Sequence, residues 1–228
     1  MGYEGIIWDC GGVIINFDAD ITNRLLSQAT GKDPQEINAY LYGGSATGRE
    51  YNEGAIEPYY LGGCDSSQFY RIIKKGLNLQ MAEKEFAAIW KATFTNPNTE
   101  IVEFIHALHP RYQQVILSST NPWQWDRMNE FSTIGGRIDL ETLLGKERIV
   151  TSYSVGHKKP APQLFEAACR SLGLRKEECV YIDDIKKYTD AFLAWGGGNA
   201  VHVDLNADDF VENCIDDLIK LGFFRRVS

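Results

Sequence analysis

A carboxylate placed at the end of a buried strand is the feature that most constrains this chain. In residues 5–18, "GIIWDCGGVIINFD", Ile6, Ile7 and Trp8 form a short apolar run of the kind that fills a strand covered on both faces. The run stops at Asp9, and Cys10 and the pair Gly11-Gly12 follow. Two glycines let the backbone turn sharply and approach a ligand closely. Asp9 is thereby directed into a crevice at the carboxyl edge of a sheet, where open α/β folds place ligands. An acid that only starts a turn uses the same residues, and this stretch alone does not separate the two readings.

The next part of the chain is patterned for helices. Asp18 reads as the N-cap of a helix running to about Thr30, with Ile21, Leu25, Leu26 and Ala29 on one face and Gly31 as its stop. Further helical pieces are expected at 34–42, 45–51, 66–75 and 81–93, with no strand among them. So long an insertion after a first strand exceeds an ordinary crossover loop. We therefore expect a small helical domain over 19–95, lying over the crevice as a lid, on a core of 1–18 and 96–228. Its tyrosines, Tyr40, Tyr42, Tyr51, Tyr59, Tyr60 and Tyr70, suit core packing, and aromatic faces of this kind can also hold a sugar ring. A chain of 228 residues with 44% hydrophobic content can bury one such core and one satellite.

Beyond Asn98, helix and strand alternate. The pattern predicts a helix over 99–109 with Ile101, Ile105 and Leu108 inward, then a strand in "YQQVILSST" and a helix over 123–131. After a polar stretch containing Gly135-Gly136 come a short strand at 149–153, a helix from Ala161 to Gly173, the strand "CVYID", a helix toward Trp195, the strand "AVHV" and a last helix over 208–221. Strands separated by helices predict a doubly wound, Rossmann-like parallel sheet with both faces covered.

Three further segments carry chemistry at strand ends or helix starts. Val115, Ile116 and Leu117 run into Ser118-Ser119-Thr120-Asn121, where a hydroxyl and exposed N–H groups can hold phosphoryl oxygens, or simply form a turn. In "GHKKPAP", Lys159 precedes Pro160 at a helix start, which fixes a compact positive charge there; a solvated lysine is the plainer alternative. In "VYIDDIKKYTDA", Asp183 and Asp184 follow an apolar strand. Adjacent carboxylates raise each other's proton affinity unless a cation sits near them, and magnesium, which prefers hard oxygen ligands, is the expected one. Either acid could instead cap the following helix.

Together these segments, in this order, resemble the motifs of the haloacid dehalogenase superfamily: "DCGGV" for its first, "SSTN" for its second, Lys159 for its third and "DD" for its fourth. The resemblance implies a helical cap after the first strand and a magnesium-dependent phosphomonoesterase acting on a small phosphorylated metabolite. Asp9 would be the nucleophile, forming an aspartyl-phosphate, with Ser118 and Lys159 as its catalytic partners. Gly12, Ser118, Ser119, Asn121 and Lys159 would bind substrate. Asp9, the Gly11 carbonyl and Asp184 would hold Mg2+, with Asp183 behind a metal-bound water.

The chain departs from that pattern at Gly11, where most phosphatases of the superfamily have a second aspartate serving as general acid and base. Without a replacement, the loss costs on the order of a hundredfold for a poor leaving group. A glycine there is similar to the sugar-phosphate phosphatase branch, alpha-D-glucose-1-phosphate phosphatase-like, although Ile185 and Tyr188 stand where that branch tends to have asparagine. These departures leave a second class of function open, a catalytically silent member that binds a phosphorylated ligand or a protein partner. A 2-haloacid dehalogenase also lacks the second aspartate but has little use for the acid pair, and a mutase needs an acid at position 11.

Composition excludes other partners. A net charge of -8 argues against nucleic acid and anionic membranes. No apolar run is long enough to span a bilayer and the first residues lack a secretory signal pattern, so a cytoplasmic location is expected. The five cysteines are scattered without a C-x-x-C pair and read as small buried hydrophobes.

Overall fold

The computed structural model describes residues 2–44, 54–133 and 139–223. First come β1 (Gly5–Trp8) and β2 (Ile15–Phe17), then the helices α1 (Ala19–Thr30), α2 (Pro34–Tyr42), α3 (Glu57–Tyr60), α4 (Ser66–Leu77) and α5 (Glu83–Lys91). β3 (Phe94–Pro97) and α6 (Thr99–Leu108) lead into β4 (Gln113–Ser118), α7 (Pro122–Phe131), α8 (Leu140–Leu144), β5 (Ile149–Thr151) and α9 (Ser152–Val155). Then follow α10 (Pro162–Leu172), β6 (Cys179–Asp183), α11 (Lys186–Ala194), β7 (Asn199–His202) and α12 (Phe210–Lys220).

The main sheet runs in the order β5-β4-β1-β6-β7, every adjacent pair parallel. Alternation along each strand divides its residues between two cores. Ile6, Trp8, Ile116, Val180 and Ile182 pack on one face with Ile105 and Leu108 of α6 and Leu218 of α12. Ile7, Val115, Leu117 and Tyr181 pack on the other with Leu164 and Phe165 of α10 and Phe192 of α11. This is the Rossmann-like, doubly wound sheet that the apolar strand runs predict. Even the Trp8 indole is satisfied: it donates to Gln114 Oε1 at 3.0 Å, and Gln114 Nε2 donates to the Ile105 carbonyl at 3.0 Å.

A third cluster joins Leu26, Ile37, Leu41, Tyr42, Tyr59, Phe69, Phe86 and Trp90 of helices α1 to α5. Tyr59 and Phe69 stack at 4.4 Å, and Trp90 meets Phe69 edge-on at 4.9 Å. Tyr42, Tyr59, Tyr60 and Tyr70 are buried here, whereas Tyr51 and the helical piece expected at 45–51 lie outside the described residues, as does Gly135-Gly136.

Two expectations are corrected. The segment ahead of α6 is not wholly helical, because Phe94 lies in β3, which pairs antiparallel with β2 through Phe17↔Phe94 and Ile15↔Pro97. Each strand is too short to display alternation, and the pairing is non-local. The inward face of α1 is also rotated: Ala19, Thr22, Asn23 and Leu26 are buried, while Ala29 is exposed. Polar contacts set that face, since the Thr22 hydroxyl meets the Thr93 hydroxyl at 2.7 Å and reaches the Ile89 carbonyl at 3.2 Å. Among the described residues no helix is long and apolar enough to cross a membrane.

Candidate active site

The carboxyl ends of three neighbouring strands, β1, β4 and β6, open onto one cleft. Asp9 follows β1 directly, and its backbone N–H donates to the Ile182 carbonyl of β6 at 2.9 Å, so the first carboxylate is pinned beside the strand that ends in Asp183. Asp9 Oδ1 accepts from the Cys10 N–H at 2.7 Å and from Lys159 Nζ at 2.7 Å. The same ammonium donates to Asp183 Oδ2 at 2.6 Å. Asp183 Oδ2 also accepts from the Tyr181 hydroxyl, and its Oδ1 accepts from the Ile185 N–H at 2.8 Å. Lys159 is 5% exposed, lies 5.3 Å from the centre of the Tyr188 ring, and has its backbone N–H on Ser119 Oγ at 3.1 Å. A lysine in front of a proline has thus become a buried, doubly bonded cation.

Three carboxylates crowd together here. Oxygens of Asp9, Asp183 and Asp184 lie within 4.8 Å of one another, and the Lys159 ammonium bridges two of them. Burial and then the Asp183 charge raise the Asp9 pKa well above the ordinary carboxylate value, although Lys159 works in the opposite direction. Burial alone would lower Lys159, but Asp183 and Asp9 outweigh it and hold the amine firmly protonated. Carboxylate oxygens converging this closely form a donor set whose mutual repulsion a divalent cation would relieve. The donor set is hard oxygen throughout, which fits magnesium or calcium better than a softer metal.

The two glycines differ in their reasons. Gly12 has φ +96, and a Cβ there would sit 2.7 Å from the Asp184 carboxyl carbon, so the bare backbone forms the cradle under that acid. Gly12→Ala is expected to cost about 1–2 kcal/mol of stability from the left-handed backbone alone and to displace Asp184; thermal melts and metal titration check both. At Gly11 a Cβ would meet only the Phe94 ring at an ordinary 3.6 Å, so space does not exclude a side chain there.

The other expected residues divide. Ser118 is buried at the end of β4, and with Ser119 it lines the cleft beside Asp9, Gly11, Lys159 and Asp184. Gly12 abuts Asp184. Asn121 is placed differently: it caps α7, with Oδ1 accepting from the Gln124 N–H at 3.1 Å and Nδ2 donating to Gln124 Oε1 at 2.7 Å. Its amide is held by protein partners. Thr120 of the "SSTN" run, Tyr60 of the helical tyrosines and Ile185 also line the cleft, with Gln124, Phe17, Phe94 and Met128, and no local pattern marks the last four as site residues. Helical segments close one side through Lys158–Glu57 at 2.9 Å, Tyr60–Gln124, and the Trp123 N–H on the Tyr59 hydroxyl at 3.2 Å.

Comparison with known proteins places this geometry in context. The chain is 22% identical over 188 residues to a D-ribitol-5-phosphate phosphatase of Bacteroides thetaiotaomicron, covering 79% of this chain and 82% of that protein. It shares its fold with a haloacid dehalogenase family enzyme of the same organism crystallised with magnesium and inorganic phosphate, at TM-score 0.76 and 18% identity over 91% and 97% of the two chains. A HAD-like family hydrolase of Porphyromonas gingivalis superposes at TM-score 0.79 and 19% identity, covering 96% of this chain and 99% of that one. Residues 3–187 match the family model of the haloacid dehalogenase-like hydrolases, and the chain belongs to that family.

Proposed function

We propose that the protein is a magnesium-dependent phosphomonoesterase acting on a small phosphorylated metabolite, with a sugar or sugar-alcohol phosphate the favoured class. The observation that carries the reading is the convergence of Asp9, Asp183, Asp184 and Lys159, from separate strand ends and the turn ahead of α10, in one cleft. The phosphatase activity of the Bacteroides relative supports it.

In this reading Asp9 is the nucleophile. Its two hydrogen bonds fall on Oδ1, which leaves Oδ2 to attack phosphorus in line as the ester oxygen departs. Asp9, Asp184 and the Gly11 carbonyl would hold a magnesium ion, with Asp183 supporting a bound water, and when present the ion withdraws charge from the phosphoryl oxygens. Lys159 neutralises the nucleophile's surroundings and faces the incoming anion; Ser118, Ser119 and the backbone near Gly12 supply donors. Water then cleaves the aspartyl-phosphate. With glycine at position 11, protons pass to and from solvent.

Residues 19–95 act as a helical cap on a core of 1–18 and 96–228. The separate helical core supports this division, and the β2–β3 pair lies at its junction. All five cysteines are free thiols, which supports a reducing compartment such as the cytoplasm.

The test is phosphate release from a panel of sugar phosphates and p-nitrophenyl phosphate, with magnesium and with EDTA. Turnover is expected with the metal and a fall of about a hundredfold or more without it, on the scale of several kcal/mol of charge stabilisation. Halide release from 2-haloacids without metal would select a dehalogenase. Ligand binding without turnover would select the silent form, the reading that Gly11 favours.

A further inference from the structure

Two buried polar groups in the cleft wall have no partner among the described residues, and the hydrogen bonds around one of them dictate which way it points. Asn121 Oδ1 meets two donors that cannot accept, the Gln124 backbone N–H at 3.1 Å and the Trp90 indole N–H at 3.4 Å. The Asn121 amide is therefore oriented with Nδ2 toward Gln124, donating to its Oε1 at 2.7 Å. The Tyr60 hydroxyl donates to the same oxygen. Gln124 Nε2 must occupy the other branch of its amide, and it has no hydrogen-bond partner among the described residues although Gln124 is only 1% exposed.

Thr120 repeats the situation. Its backbone N–H donates to Ser152 Oγ at 3.0 Å and its carbonyl accepts from that hydroxyl at 2.9 Å, which holds the residue in place. Its own Oγ1 is buried without a partner among the described residues. Both Gln124 and Thr120 line the cleft that contains Asp9 and Lys159. Buried polar groups are nearly always bonded, so two orphans in the wall of one cleft mark places for ligand atoms.

The chemistry of those atoms follows from the donors. Gln124 Nε2 only donates, so it takes a neutral or anionic oxygen; Thr120 Oγ1 both donates and accepts, the match for a hydroxyl. Phe17, Phe94 and Met128 supply apolar wall for a carbon skeleton. We infer that Gln124 and Thr120 select a leaving group bearing several hydroxyls, so that the substrate is the phosphate monoester of a small polyhydroxylated alcohol. This rests on the phosphatase reading and adds to it the residues that choose the substrate.

The experiment compares kcat/KM for a pentitol phosphate with that for n-pentyl phosphate, which lacks the hydroxyls. Sites built to hydrogen-bond a hydroxyl reject analogues that lack it, so the wild type is expected to prefer the pentitol ester by about a hundredfold or more. Gln124→Glu keeps an oxygen for Asn121 and Tyr60 but replaces the donor nitrogen with an acceptor, and it is expected to cut that preference about tenfold or more. Thr120→Val removes the second orphan and serves if the first variant does not fold. An unchanged preference in either folded variant overturns the inference while hydrolysis itself still stands. Calorimetric binding of both esters to Asp9→Asn, with and without Gln124→Glu, needs no turnover. A binding preference that depends on Gln124, when the wild type hydrolyses neither ester, supports the selectivity and rejects the phosphatase reading; equal binding of the two esters rejects the inference.

Discussion

Asp9→Asn is expected to lower kcat for any phosphate ester the protein hydrolyses by about four orders of magnitude or more, the scale on which losing a covalent nucleophile acts. The same change should leave the fold intact. Asparagine keeps an oxygen able to accept from the Cys10 N–H and from Lys159 Nζ, the two bonds that fix position 9. It also removes one charge from a group that holds too many: burial and Asp183 already disfavour the ionised form of Asp9. Metal-free Asp9→Asn should therefore melt at or above the wild-type temperature. A gain of about 1 kcal/mol would appear as roughly 2–4 °C for a chain of this size. Activity lost while stability is kept or gained is the signature of a residue retained for chemistry. Undiminished turnover in Asp9→Asn would remove the nucleophile from the mechanism. A melting temperature several degrees lower would show that the carboxylate is there to balance Lys159.

The parts of this site that were legible in the sequence share one property: each is a local contradiction. Asp9 and Asp183 end apolar strands, where a charge has no structural reason to be, and Lys159 sits against Pro160 in the turn ahead of α10, which Pro162 opens. The sheet was legible for the same reason that it is stable, since its strands are covered on both faces and read as continuous apolar runs. Tyr60 and Gln124 carry no such mark. One is an aromatic in a short helix and the other a polar residue in the first turn of α7, and they become part of a site only because the fold brings α3 against α7. Asn121 shows two signals in competition. Followed by Pro122, it carries the start signature of a helix, and its side chain does cap α7. Its place in a "SSTN" run drew it into the phosphate-binding set instead. The β2–β3 pair was illegible because strands this short, joined across the whole helical segment, leave no periodic trace.

Lys159→Met is expected to damage both folding and activity, and added metal should repair the first more than the second. In the wild type the ammonium bridges Asp9 at 2.7 Å and Asp183 at 2.6 Å, with all three groups buried. Methionine fills much of the same volume and removes the cation, which leaves Asp9 and Asp183 without the ammonium that bridges them. Breaking a buried pair on one side costs about 3–5 kcal/mol, which for a chain of this length lowers the melting temperature by roughly 6–20 °C. Because the excess charge rises when the amine is lost, a divalent cation should stabilise the variant by more degrees than it stabilises the wild type, as ligand linkage requires when the folded state alone binds. Turnover in the metal-saturated variant should remain down by about a hundredfold to a thousandfold, since a point charge fixed against the transferring group acts chiefly in the transition state. Melting curves with and without magnesium, read beside kcat at saturating metal, separate the two effects. A melting temperature within 2 °C of wild type in the absence of metal would mean that Asp9 and Asp183 are protonated in the folded protein and that the ammonium does not balance them.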